Sequence, residues 1–217
     1  MSRLRAPNQP SARRAAGLTL IELMVVVAIA VIILGLAAPS FSEYIVTQRL
    51  RSIHAQVATD LQLARSEAVA RSAFVSVRFQ EVTGSGGMTC YVIFTRPDPS
   101  TGTANCSCTA APGARCSTHP TTTTEIRTVT IPRELKVSVR TPAAPTPPAP
   151  AQPDTVTFDP RIGSLKFALA DSGVLVAQGF QVDTSADGNR SLRAMVRTSG
   201  RIGLCTPQGS TLGGPPC

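Results

Sequence analysis

Hydrophobic and polar positions change their period twice along this 217-residue chain. From Leu18 to Ala38 nearly every position is apolar, and Glu22 is the one ionisable group. At about 1.5 Å rise per residue such a run makes a helix of about 30 Å, the thickness of a bilayer's hydrocarbon core. Residues 40–72 then turn amphipathic. Phe41, Ile45, Leu50, Ile53, Val57, Leu61, Ala64 and Ala68 recur close to helical spacing, with Arg49, Arg51, Arg65, Glu67 and Arg71 on the other faces. That pattern predicts a continuation of the helix whose apolar stripe packs on a sheet. Pro39, between the two stretches, removes one backbone donor and predicts a kink.

From Phe74 the period becomes that of strands. FVSVRF (74–79) alternates, CYVIFT (90–95) is rich in β-branched and aromatic residues, and GSGG (84–87) reads as their connection. Residues 97–124 are a loop with three embedded cysteines. Strands resume at 126–131 and 135–140. The stretch TPAAPTPPAPAQP (141–153) predicts an extended polyproline-like excursion within the domain. Four further strand-like stretches follow, at 155–169, 175–182, 191–198 and 201–206, with Ser199-Gly200 as a turn between the last two. The fold class this predicts is α+β, a long helix followed by one β-rich domain over 73–217.

Charge changes the picture at the N-terminus. Residues 1–17 hold Arg3, Arg5, Arg13 and Arg14 and no acid, without the short apolar region and small-residue cleavage site of an ordinary secretory signal. Positive charge beside a membrane span stays in the cytoplasm, so the domain is expected on the opposite side of the inner membrane, in the periplasm. Removing the four leader arginines lowers the formal charge from +8 to +4, too little to argue for nucleic acid by itself.

Six cysteines, Cys90, Cys106, Cys108, Cys116, Cys205 and Cys217, all lie beyond the apolar run and suit an oxidising compartment. Six allow 15 pairings. Cys106 and Cys108 are too close in sequence to bond each other without strain, and Cys205 with Cys217 is one pairing that would close the C-terminal tail. Cys106, Cys108, Cys116 and His119 also offer a zinc-like ligand set, but an oxidising compartment favours disulfides.

A carboxylate inside an apolar helix costs roughly 2.5–3.5 kcal/mol on insertion scales, so it calls for a partner. The flanking residues say which. The run GLTLIELMVVVAI (17–29) resembles the signal shared by type IV pilins and type II secretion pseudopilins. The segments LQLARSEAVARS (61–72), FDPRIG (158–163) and SGRI (199–202) resemble the pseudopilin H and FimT branch of that family. The resemblance implies cleavage by a prepilin peptidase after Gly17 and N-methylation of Leu18, where the family usually has Phe. It implies that Glu22 neutralises the N-terminal amine of a neighbouring subunit, two buried charges acceptable only as a pair. It divides the chain into a leader (1–17), an assembly and transmembrane helix (18–38), its amphipathic continuation (39–72) and a periplasmic domain (73–217). The expected partners are the peptidase, other pilin or pseudopilin subunits, the inner-membrane assembly platform and the membrane itself.

Some FimT-like pilins bind DNA through a C-terminal G-R-x-R. Here the run is Gly200-Arg201-Ile202-Gly203, without the second arginine, so nucleic acid is the weaker expectation; Arg193, Arg197 and Arg201 are its candidate contacts. Even spacing puts Arg193 and Arg197 on one face of a strand. DTSADGN (183–189) echoes half a calcium loop, but its twelfth position is Ala194 in place of a bidentate Glu, and a polar Asp-Gly turn suffices. His54 and His119 have no paired nucleophile or acid, and no Gly-rich phosphate loop precedes a helix. No enzyme activity, metal or cofactor is expected. The function expected is that of a minor pseudopilin in a type II secretion pseudopilus. The alternative is a FimT-like minor pilin of a type IV pilus.

Overall fold

A computed structural model describes residues 19–82, 88–97, 106–116, 123–142, 153–168, 175–176, 178–187 and 189–217. Helix α1 runs from Leu20 to Arg71 as one helical segment that includes position 39. The chain divides into two compact units, Met1–Ser42 and Glu43–Cys217.

In the second unit the helix buries one face. Val46, Leu50, Ile53, Val57, Leu61, Ala64 and Ala68 fall every third or fourth residue and enter the core. The stripe differs from the sequence expectation at its start, where Val46 and not Ile45 is buried and Phe41 is exposed. The last helical turn ends where Ser72 adopts a left-handed φ of 50°.

Among the described residues ten strands follow in two antiparallel sheets. Strands β1 (Phe74–Glu81), β2 (Thr89–Arg96), β3 (Thr124–Ile131), β5 (Thr155–Phe158), β6 (Leu165–Ala168) and β7 (Leu175–Val176) form the first, in the order β3-β2-β1-β5-β6-β7. Strands β4 (Ser138–Arg140), β8 (Phe180–Ala186), β9 (Arg190–Val196) and β10 (Ile202–Cys205) form the second, in the order β10-β9-β8-β4. One apolar core unites the helix with both sheets. Phe79, Tyr91, Phe167 and Phe180 stack across it with ring centroids 5.3–6.1 Å apart.

Three predicted strands are shorter than their patterns. In 135–140 only Ser138–Arg140 is extended, because Arg133–Leu135 is a 3-10 turn and Lys136 has a left-handed φ of 55°. The stretch 155–169 breaks into β5 and β6 at Asp159-Pro160. There the Asp159 carboxylate accepts the Arg161 amide at 2.8 Å, and Gly163 adopts φ 64°. The stretch 175–182 divides between β7 and β8, which belong to different sheets. The GSGG connection lies outside the described residues, as does nearly all of the Pro-rich stretch.

β2 is buried on both faces. Tyr91 and Ile93 enter the main core, while Cys90, Val92 and Phe94 face a second apolar cluster built with Cys106, Cys108 and Cys116. Disulfides Cys90–Cys108 and Cys106–Cys116 hold segment 106–116 over this face, and Cys205–Cys217 closes the C-terminal tail. All six sulfurs are consumed in these bonds. This removes the thiolates that zinc would need; His119 lies outside the described residues. Among the described residues no cluster of His, Cys, Asp or Glu could hold a metal.

Two polar groups on the buried helix face are tied to the sheets. Asp60, 1% exposed, accepts the Tyr91 hydroxyl at 2.6 Å and meets the Arg127 guanidinium at 2.9 Å. Burial, the hydrogen bond to Asp60 and that carboxylate's negative charge push the Tyr91 phenol well above its ordinary range, burial being the largest cause. His54 is buried with Nδ1 3.2 Å from the Thr184 hydroxyl, while its Nε2 has no hydrogen-bond partner among the described residues.

Burial lowers the His54 pKa below 6.5, against the raising influence of the Asp183 carboxylate. The unfolded chain therefore takes up a proton more readily than the folded one. Stability is complete above pH 6.5 and falls as the pH drops below it, by about 1.4 kcal/mol per unit of depression once both states are protonated. Urea titrations between pH 5 and 7.5 should show this slope, and His54→Gln should flatten it. An unchanged slope in the variant would assign it to other groups.

Candidate assembly segment and arginine-lined groove

The assembly segment begins with a local cap. Thr19 Oγ1 accepts the Glu22 amide at 3.3 Å, and Glu22 stands three residues after Thr19, the spacing of a capping box. A carboxylate in the first helical turn also complements the positive end of the helix dipole. Glu22 itself is exposed. Around it the large apolar side chains from Leu20 to Leu34 are all at least half exposed, an apolar surface left uncovered by the described residues. So large an apolar surface marks a place for lipid or for other chains. Gly17 and Leu18 lie outside the described residues. Among the described residues no helix is long and apolar enough to cross a membrane.

At the other end of α1, three separate segments of sequence meet. The turn after β5 carries Gly163, and the turn between β9 and β10 carries Gly200. They are joined where the Leu165 amide donates to the Thr198 carbonyl at 3.0 Å. The β9–β10 turn is closed by the Gly200 amide on the Arg197 carbonyl at 2.7 Å and the Arg197 amide on the Arg201 carbonyl at 2.9 Å. Gly200 has φ 78°. A Cβ there would lie 1.9 Å from the Gly163 carbonyl oxygen and 2.9 Å from Arg65 Nε; one on Gly163 would lie 2.8 Å from Arg65 Cγ. The two glycines thus form a slot through which the Arg65 side chain passes from the helix.

The slot opens on a groove of about 500 Å³ lined by Gln62, Arg65, Ser66, Val69, Ile162, Gly200, Arg201 and Ile202. Val69 and Ile162 are exposed on its walls. Arg65 has no carboxylate partner among the described residues. The groove is therefore cationic with apolar walls, and chemically it suits an acidic side chain or a phosphate.

The C-terminal arginines do not form the patch their spacing suggests. Arg197 follows the last residue of β9 and opens the turn. Arg193 grips the Asp183 carboxylate on β8 through two bonds of 2.6 and 2.7 Å. Arg190 is held by Glu43 at 2.8 Å and by Asp187. Arg197 and Arg201 are exposed. The calcium-like stretch is likewise used otherwise. Asp183 and Ser185 lie in β8, Asp183 is committed to Arg193, and Asp187 sits in the turn with φ 52°. Gly188 lies outside the described residues.

Sequence comparison places this geometry. The family model for type II transport protein GspH matches residues 55–200, and that for the prokaryotic N-terminal methylation motif matches residues 12–38. The chain belongs to the GspH family. The GspH match takes in the groove's helix face and both glycine turns. Solved structures similar to it include the type IV minor pilin FimU of Pseudomonas aeruginosa, at 16% identity and a TM-score of 0.44, covering 78% of this chain and 98% of that one. Another is the minor pseudopilin EpsH from the type 2 secretion system of Vibrio cholerae, at 14% identity and a TM-score of 0.38, covering 72% and 97%. No curated protein matches the chain. This chain is thus a GspH-family protein that carries the prokaryotic N-terminal methylation motif.

Neither Arg65 nor Asp60 was singled out by sequence pattern. Arg65 stands on the polar side of the amphipathic helix, where a solvated arginine is the ordinary expectation. The signal was indirect: 61–72, 158–163 and 199–202 each resemble the family without any local purpose, and folding brings all three together.

Proposed function

We propose that this chain is a minor pseudopilin of a type II secretion pseudopilus. The observation that carries the reading is the match of the globular domain, residues 55–200, to the type II transport protein family. The leader is removed by prepilin peptidase after Gly17, and Leu18 is N-methylated. Residues 18–38 hold the subunit in the inner membrane, with the leader cytoplasmic and the domain periplasmic, and Pro39 kinks the helix where it leaves the bilayer. The uncovered apolar surface from Leu20 to Leu34 supports this, because a filament core of packed helices or a bilayer would bury it. Three disulfides agree with an exported domain.

On extraction into the filament by the assembly platform, Glu22 pairs with the N-terminal amine of a neighbour. The pair is tolerable in a low-dielectric bundle where either charge alone is not. The alternative, a FimT-like minor pilin of a type IV pilus serving adhesion or DNA uptake, is favoured by Arg65 and Arg201 opening on one groove.

A chromosomal Glu22→Ala variant tests both. It should remain in the inner-membrane fraction at normal level and be absent from sheared or purified filaments. Loss of protein release with pili retained assigns the chain to type II secretion; loss of pili with release retained assigns it to the pilus. Normal incorporation of the variant would defeat the assembly role of Glu22.

A further inference from the structure

Four of the cysteines are joined across one another. The Cys90–Cys108 bridge encloses Cys106, and the Cys106–Cys116 bridge encloses Cys108. The third bridge, Cys205–Cys217, joins cysteines that are consecutive in the chain. The contacts that select the crossed pattern belong to the finished sheet. Gln80 on β1 accepts the Cys108 amide at 2.9 Å and the Ser107 hydroxyl at 3.1 Å, and Arg115 reaches Glu125 on β3 at 2.6 Å. Val92 and Phe94 of β2 supply the apolar surface that buries Cys106 and Cys108.

Glu125 lies beyond Cys116. A chain exported from its N-terminal side delivers all four cysteines before it delivers β3. Without that template Cys106 and Cys108, one residue apart, compete for Cys90 on nearly equal terms, since loop-closure entropy changes slowly with length. An oxidant carrying a disulfide, which is reduced to its dithiol, then forms the consecutive bridges Cys90–Cys106 and Cys108–Cys116 alongside the crossed ones.

We infer that this protein is a substrate of a dithiol–disulfide isomerase, which converts the consecutive bridges into the crossed ones once the sheet has formed. The inference rests on the proposed export of the domain. The exchange is redox-neutral. An isomerase thiolate attacks Cys106 Sγ in Cys90–Cys106, forming a mixed disulfide and releasing the Cys90 thiolate. Cys90 attacks Cys108 Sγ in Cys108–Cys116, forming Cys90–Cys108 and releasing the Cys116 thiolate. Cys116 attacks Cys106 Sγ in the mixed disulfide, forming Cys106–Cys116 and returning the isomerase thiolate. The apolar face of Val92 and Phe94, uncovered until segment 106–116 docks, is where the isomerase would bind.

The test is to produce the full chain in two hosts that differ only in whether the periplasmic disulfide isomerases are present. Free thiols are blocked in the growing cells, and bridged peptides are mapped by mass without reduction. With the isomerase, the crossed pairing should dominate. Without it, the crossed share should fall to about half or below, the share expected when Cys106 and Cys108 compete for Cys90 on equal terms, while Cys205–Cys217 is unaffected. The double variant Cys106→Ser with Cys116→Ser removes the competition, so its Cys90–Cys108 bridge should form equally in both hosts. A full share of crossed bridges without isomerase would overturn the inference and leave export standing. Six blocked thiols in either host would overturn both.

Discussion

Gly200→Ala is expected to destabilise the domain by more than about 3 kcal/mol, the range of backbone strain combined with a steric clash. Two costs act together. A left-handed φ of 78° costs an L-residue about 1–2 kcal/mol. The new Cβ would also stand 1.9 Å from the Gly163 carbonyl oxygen, a backbone atom that can move only if the whole turn after β5 moves with it. Gly209→Ala separates the two. Gly209 has φ 85° with nothing within 4 Å of its Cβ position, so it carries the conformational cost alone. Thermal melts of the purified chain should show a much larger fall for Gly200→Ala. Equal falls would mean that the two turns are not in contact. Because the displaced turn forms the Arg65 slot, the variant should also make the Arg65 side chain more mobile by NMR.

Asp60→Ala should cost about 3 kcal/mol, within the range for breaking a buried polar pair. At the usual scaling for a domain of this size that is roughly 10 °C in Tm. Most of the loss comes from Tyr91, 1% exposed, whose hydroxyl would be left without its acceptor. Arg127 contributes less, because its side chain is 45% exposed and returns to water. Asp60→Asn keeps an oxygen for the Tyr91 hydroxyl and removes only the charge facing Arg127, so it should cost well under half as much. Equal losses in the two variants would mean that the ion pair to β3, and not the tyrosine bond to β2, holds the helix to the sheet.

How much of this was legible in the chain depends on the range of the interaction. The capped apolar run at 19–35 and the amphipathic stripe from Leu50 to Ala68 are local periodic signals, and the helix follows them. Strand stretches were legible where alternation is strict, as in β1. They were overextended at 155–169 and 175–182, where apolar residues continue across a break that only the partner strands define. Arg193 and Arg197 were read as one patch by counting, because nothing local announces that Arg193 is held by Asp183 on the neighbouring strand.

By itself the sequence determined the α+β class, the position of the long helix and the cysteine-rich character of the domain. These depend on period, charge placement and composition, which are properties of neighbouring residues. Tertiary structure alone decided which cysteines pair, that Asp60 answers Tyr91 and Arg127, and that two glycine turns close around Arg65. Each of these joins residues many positions apart, and strand order and register set their separation, not any feature of the residues' own neighbourhoods.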